Sequence, residues 1–160
     1  MSASSHSSWV SLDPSKLERH EHTKTDGVEI HVFMSPYDVP EAVRGRFDPS
    51  SRRFVIEFKY LDEEKATDEP HGEYIVLRVG KNSKRLLGLQ INVEALKERQ
   101  VGVRVFVPNL VASIRKAIGE LSKTRHLQPS RLRNYEVAEE VIADRSEQLF
   151  KELVEAQPAS

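Results

Sequence analysis

Three short apolar runs, at residues 53–61, 73–79 and 85–92, decide what kind of fold this chain can adopt. In the first, Phe54, Ile56, Phe58 and Tyr60 recur at every second position, so they share one face of a strand that buries a single side. Turn-forming residues separate the runs. β-Branched and aromatic residues are denser here than elsewhere in the chain. A core sheet is therefore expected between Phe47 and Asn92.

The flanking sequence extends this sheet on both sides. Val28, Ile30 and Val32 alternate after the Asp26–Gly27 turn signal and predict a strand over 28–33. Pro36 and Pro40 confine the next segment to an edge or loop, and 42–47 reads as a further short strand. Residues 48–51, with Asp48 followed by Pro49, form a tight turn that makes a hairpin with the run at 53–61. Residues 62–72 carry Asp62, Glu63, Glu64, Asp68 and Glu69 and read as a solvated acidic loop. Residues 80–84 are a polar hairpin loop, and Gly88 in mid-strand marks a bulge or a close packing approach.

From Asn92 onward the period changes. Asn92 is an N-cap for a short helix over 93–100, with Glu94 favourable in its first turn. Residues 103–107 alternate like a strand. Leu110, Val111, Ile114, Ile118 and Leu121 then follow helical spacing behind Pro108, which predicts an amphipathic helix over 108–122 that Gly119 weakens near its end. After a break at 127–130, a final helix capped by Ser130 or Asn134 is expected to run to about residue 155. Tyr135, Ala138, Ile142, Leu149 and Leu153 form its apolar stripe, broad enough to pack on a sheet or on a second copy of the chain.

The whole is an α+β chain: a mostly antiparallel sheet of four to six strands with two longer helices in its C-terminal half. Its 160 residues suit one domain, divided into a serine-rich flexible arm (1–26), an antiparallel sheet domain (27–107) and a helical C-terminal part (108–160). Trp9 and Val10 are the apolar exceptions within the arm.

Composition narrows function mainly by exclusion. With no cysteine there is no disulfide framework, thiolate metal site or cysteine nucleophile. Gly80–Lys81 resembles the end of a phosphate-binding loop, but the position five residues earlier is Ile75, and a strand rather than a helix follows. His20 and His22 could share a strand face, yet the other histidines are scattered, so no metal site is expected. No glycine-flanked serine elbow exists, and the acidic run lacks the glycine-centred calcium pattern. No catalytic residue and no cofactor is expected. A start without basic and apolar signal regions, and the lack of any apolar run near the ~18 residues a membrane span needs, predict a soluble cytoplasmic protein with no membrane partner.

Charge is nearly balanced overall, at −1, but unevenly placed. Residues 101–133 hold seven Lys/Arg against one acid (+6), and 134–155 hold seven acids against two bases (−5). Arg115, Lys116, Lys123, Arg125, Arg131 and Arg133 are therefore candidate phosphate contacts for a nucleic-acid partner, unless the acidic final helix neutralises them. No interleaved aromatic platform accompanies them. Tyr135, Ile142, Leu149 and Leu153 are the candidate contacts for a protein partner or a homo-oligomer.

The run from Phe47 through Asp48, Pro49, Ser50 and Ser51 to Phe54, Ile56 and Phe58, followed by Tyr74–Val79 and by Leu86, Leu87, Gly88, Leu89 and Ile91, resembles a small bacterial family of uncharacterised proteins. That family has an Asp-Pro turn and a final strand with Gly-x-Leu/Ile. The resemblance spans residues 47–92, implies a β-meander, and carries no catalytic residues across. Two functional classes remain: a non-enzymatic module acting through protein–protein contacts, or a nucleic-acid-associated factor using the basic segment 104–133.

Overall fold

Asp48 starts the hairpin that sets the sheet's register. Its Oδ1 accepts hydrogen bonds from the Ser50 amide (3.1 Å) and hydroxyl (2.8 Å), and its Oδ2 accepts one from the Ser51 hydroxyl (3.0 Å). Arg52 completes the turn with φ 57°, in the left-handed region. The hairpin aligns Asp48 with Arg53 and Phe47 with Phe54, so every second residue of both strands faces the same way.

The computed structural model describes residues 9–12, 21–25, 28–32, 36–95, 107–124 and 129–155. Its strands are β1 (Val10–Ser11), β2 (Glu21–Thr25), β3 (Val28–Val32), β4 (Ala42–Asp48), β5 (Arg53–Lys59), β6 (Ala66–His71), β7 (Ile75–Gly80) and β8 (Leu86–Asn92). Its helices are α1 (Val107–Thr124), α2 (Pro129–Asp144), α3 (Ser146–Leu149) and α4 (Lys151–Glu155), with a 3-10 turn at Pro36–Asp38. Six strands form one antiparallel sheet in the order β1-β4-β5-β8-β7-β6, and β2 and β3 pair as a separate hairpin. The chain is α+β, with two longer helices in its C-terminal half.

The strand order departs from the meander implied by the resemblance. β5 lies beside β8, not β6, so β5-β8-β7-β6 forms a Greek key. Residues 60–65 therefore cross the end of the β7–β8 hairpin to start β6 at the far edge; Lys81 N donates to Lys65 O there (2.9 Å). The acidic run is accordingly only partly a loop, because Ala66–His71 pairs with β7. Pro70 and the charged Asp68 and Glu69 suit that edge position, where a missing donor and like charges discourage further pairing. The span expected as a flexible arm also contributes strands: β1 pairs with β4 (Val10↔Val43) and β2 with β3.

One face of the sheet holds the core. Phe54, Ile56, Phe58, Tyr60, Ile75, Leu77, Val79, Leu86, Leu89 and Ile91 are buried together with Leu110, Ile114, Ile118 and Leu121 of α1. A bulge makes this possible on β8. Val79 pairs with Leu86 while Arg78 pairs with Gly88, so Leu87 is the extra residue, and Leu86 and Leu89 both turn inward. Gly88 fits the close approach expected of it: an added Cβ would lie 2.3 Å from Ile56 O.

The final helix begins earlier than expected, at Pro129, and is broken twice. Asn134 is thus not its cap but a fully buried residue inside α2. The breaks seat Leu149, Phe150 and Leu153 on β4; the Phe54 and Phe150 ring centroids are 5.5 Å apart. Asn92 does cap the turn beginning at Val93, accepting from the Ala95 amide (3.2 Å). Residues 96–100 of that expected helix, and 103–106 of the expected strand, lie outside the described residues.

Two glycines should respond in opposite ways to alanine. At Gly45 a Cβ would fall 2.1 Å from Leu149 O, so Gly45→Ala forces α3 off the sheet and should cost about 1–3 kcal/mol. At Gly119, inside α1, a Cβ meets nothing within 4 Å, and Gly119→Ala should stabilise by roughly 0.5–1 kcal/mol. Urea unfolding of the two variants checks both signs.

Candidate functional site

The outward face of the sheet is fixed by the same alternation that builds the core. Arg44 and Arg46 of β4, Arg53, Glu57 and Lys59 of β5, Gly88 and Gln90 of β8, Val76 and Arg78 of β7 and Asp68 of β6 line up across it. Val55, between Arg46 and Gln90 in the register, and Ala42, opposite Lys59, are buried apolar residues on this side.

Charge is concentrated at the β4–β5 end. Nε of Arg44 (3.2 Å) and Nε of Arg46 (2.6 Å) both donate to the same oxygen of Glu57, Oε1. Burial pushes the Glu57 carboxyl up, but the hydrogen bonds and charges of Arg46 and Arg44 more than offset this and hold it below its ordinary value. The Arg44 guanidinium also lies 4.3 Å from the centroid of the Trp9 ring. β1 delivers that tryptophan, because Val10 is registered on Val43, one residue from Arg44. Elsewhere Arg53 donates to Gln90 (3.0 Å) and Arg78 to Asp68 (3.3 Å).

A groove of about 760 Å³ opens on this face. Trp9 lies at one end, Leu87 and Gly88 line it from β8, and Lys59, Glu63, Lys65 and Arg78 also border it. The crossing connection, residues 60–65, forms one wall.

That wall is held by a buried arginine. Arg85, 2% exposed, reaches Asp62 (2.7 Å) and Glu64 (2.6 Å) through its two terminal amines, the Ser83 hydroxyl through Nε (2.9 Å), and the carbonyl of Tyr37. Its guanidinium also lies 4.6 Å from the Tyr60 ring centroid. Glu64 in turn accepts from the Asn82 and Ser83 amides (3.0 Å each) and from the Ser83 hydroxyl. Burial opposes ionisation of Glu64, but the bonds from Ser83, Arg85 and Asn82 outweigh it and hold the carboxyl near 2. Gly80 leaves room for this carboxylate: a Cβ there would sit 2.5 Å from Glu64 Oε1.

Asn134 continues the network into the helices. Its Oδ1 accepts from the Leu86 amide (2.9 Å), and its Nδ2 donates to Asp38 O (2.7 Å) and to the Tyr60 hydroxyl (3.0 Å). The Tyr60 hydroxyl donates to Leu86 O (2.7 Å), and that of Tyr135 to Lys84 O (2.9 Å). Burial raises the Tyr60 phenol well above its ordinary value. Asp62 and Glu64, expected in a solvated loop, are therefore structural ligands of a cation.

The residues singled out from the sequence are dispersed. Arg115, Lys116 and Lys123 are exposed on α1. Arg115 faces Glu139 of α2, whose carboxyl is raised first by burial, with Glu136 and Glu140 adding to it and Arg115 opposing it. Arg131 pairs with Asp38 (2.8 Å) and Arg133 with Glu136 (2.6 Å), while Arg125 lies outside the described residues. The four candidate partner contacts, Tyr135 (2%), Ile142 (0%), Leu149 (1%) and Leu153 (0%), are all buried in the chain's own core, which corrects that assignment. Their stripe meets β4, β8 and α1 rather than solvent. Trp9, Arg44, Arg46 and Lys59 were not singled out as a group; the signal available was the charge on the polar positions of the strands. Among the described residues no group of three or more His, Asp or Glu could hold a metal ion, and no helix is long and apolar enough to cross a membrane.

The arginine network makes two measurable demands. Arg85→Ala leaves Glu64 and Asp62 without their cation and should cost about 3–5 kcal/mol in urea unfolding. A carboxyl depressed in the folded state stabilises above its ordinary value and loses that contribution on acidification. Stability should thus fall as pH drops from about 4.5 towards 2. Glu64→Gln should be less stable than the parent at neutral pH, with the difference shrinking across that window.

No family model, curated protein or solved structure matches this chain.

Proposed function

We propose that this chain is a non-enzymatic interaction module that engages protein partners across the outward face of its sheet. The supporting observation is the division of labour between the two faces. The helices and the apolar strand positions share one core, whereas the opposite face presents partly exposed arginines, Trp9 and an open groove. Aromatic residues and arginine are the side chains most enriched at protein interfaces. Self-association through the final helix loses its motive, since the stripe that suggested it is occupied within the chain.

The second reading, a nucleic-acid-associated factor, keeps Arg115, Lys116 and Lys123 on the exposed side of α1. It is weakened by the pairing of Arg131 and Arg133 with acids of the same chain.

Capture on the immobilised full chain, from extracts with and without nuclease, separates the two. Val76→Arg places a charge on the outward face, on β7 between Gln90 and Pro70 in the register, without entering the core. It should reduce captured protein by roughly tenfold or more. The Arg115→Glu/Lys116→Glu variant should capture as the parent does, and nuclease should change nothing. Nuclease-sensitive capture that is lost only in the α1 variant would overturn the proposal.

A further inference from the structure

The groove's chemistry specifies more than a surface. Beside its Trp9 end, just outside the groove's own lining, two guanidinium groups, Arg44 and Arg46, share one oxygen of the lining carboxylate Glu57 through their Nε atoms. Each guanidinium carries further donors on its terminal nitrogens, in a fork that matches a carboxylate. Lys59 lies two positions along β5 from Glu57, is exposed, and has no acidic partner among the described residues. Three cations thus face one acid at this end (+3 − 1 = +2). Of the groove's other carboxylates, Asp62 and Glu64 are held by Arg85, which leaves Glu63, on the wall formed by residues 60–65, as the exposed acid of the lining. Beyond Trp9, the partly buried Leu87 and the backbone of Gly88 give the groove an apolar stretch.

Resting on the reading above, we infer that the groove binds an acidic peptide segment of a partner protein, with a carboxylate at Arg44, Arg46 and Lys59 and a neighbouring apolar side chain over Leu87 and Gly88. A single-stranded nucleic acid fits less well. Trp9 is the one aromatic side chain available beside Arg44, whereas base stacking uses successive rings.

Trp9 is the only tryptophan in the chain, so its emission reports on the groove directly. The full chain is titrated with a short tryptophan-free peptide of alternating Glu and Leu, with its Lys and Leu counterpart, and with oligothymidylate. The acidic peptide should shift the Trp9 emission saturably, and Lys59→Glu should weaken its binding about tenfold. Arg115→Glu/Lys116→Glu should bind as the parent does. The inference is overturned by no saturable shift, by an equal response to the basic peptide or to oligothymidylate, or by unchanged binding in Lys59→Glu, whose exposed position leaves the fold intact. If capture still fails in Val76→Arg while the acidic peptide gives no response, the outward face stands as the interaction surface and only the peptide chemistry is wrong.

Discussion

A guanidinium at 2% exposure is the constraint around which this fold closes. Moving a full charge out of water is unfavourable by several kcal/mol unless nearby groups replace its hydration. Arg85 obtains those groups from three places: the crossing connection through Asp62, Glu64 and the Tyr60 ring, the hairpin through Ser83, and the 3-10 turn through the Tyr37 carbonyl. Asn134 then joins Tyr60, Leu86 and Asp38, which ties the second helix to the same point. Every segment that turns around the end of the sheet is fastened to one charge or its immediate neighbour.

The network also gives the outward groove a fixed wall. Without Glu64 pinned to the hairpin amides, residues 60–65 would span three strands with little to define their path. The opposite end is set differently, by a two-residue strand that places Trp9 against Arg44. A ligand in the groove would therefore meet one boundary locked by buried ionic bonds and another held by a short pairing and a cation–aromatic contact.

The elements themselves were largely legible in the sequence. Alternation of Phe54, Ile56, Phe58 and Tyr60 located β5 and its buried face, and the spacing of Leu110, Ile114, Ile118 and Leu121 located α1. Other features were hidden for physical reasons. β6 is an edge strand whose residues need no apolar alternation, so Thr67, Asp68, Glu69 and Pro70 read as loop. Tyr135, Ile142, Leu149 and Leu153 form an apolar stripe, but a stripe does not say which surface covers it. Arg85 opens an apolar run, and nothing local to it marks Glu64, 21 residues away, as its partner. The contrast of basic and acidic segments dissolved only in part: Arg131 pairs with Asp38 and Arg133 with Glu136, only the second of them local, while Arg115, Lys116 and Lys123 stay exposed on α1.

The arginine network has a consequence for synthesis. The Arg85–Glu64 bond spans 21 residues of chain, that from Leu86 to Asn134 spans 48, and that from Asn134 to Asp38 spans 96. A chain made from its N-terminus completes all six strands of the main sheet before Asn134 exists. For that interval the sheet's apolar face has α1 alone as helical cover, and the Leu86 amide and the Tyr60 hydroxyl lack their final partner. The newly made sheet thus exposes part of its hydrophobic surface until residues 129–155 have followed it, which makes those helices the part of the fold that completes its protection from aggregation.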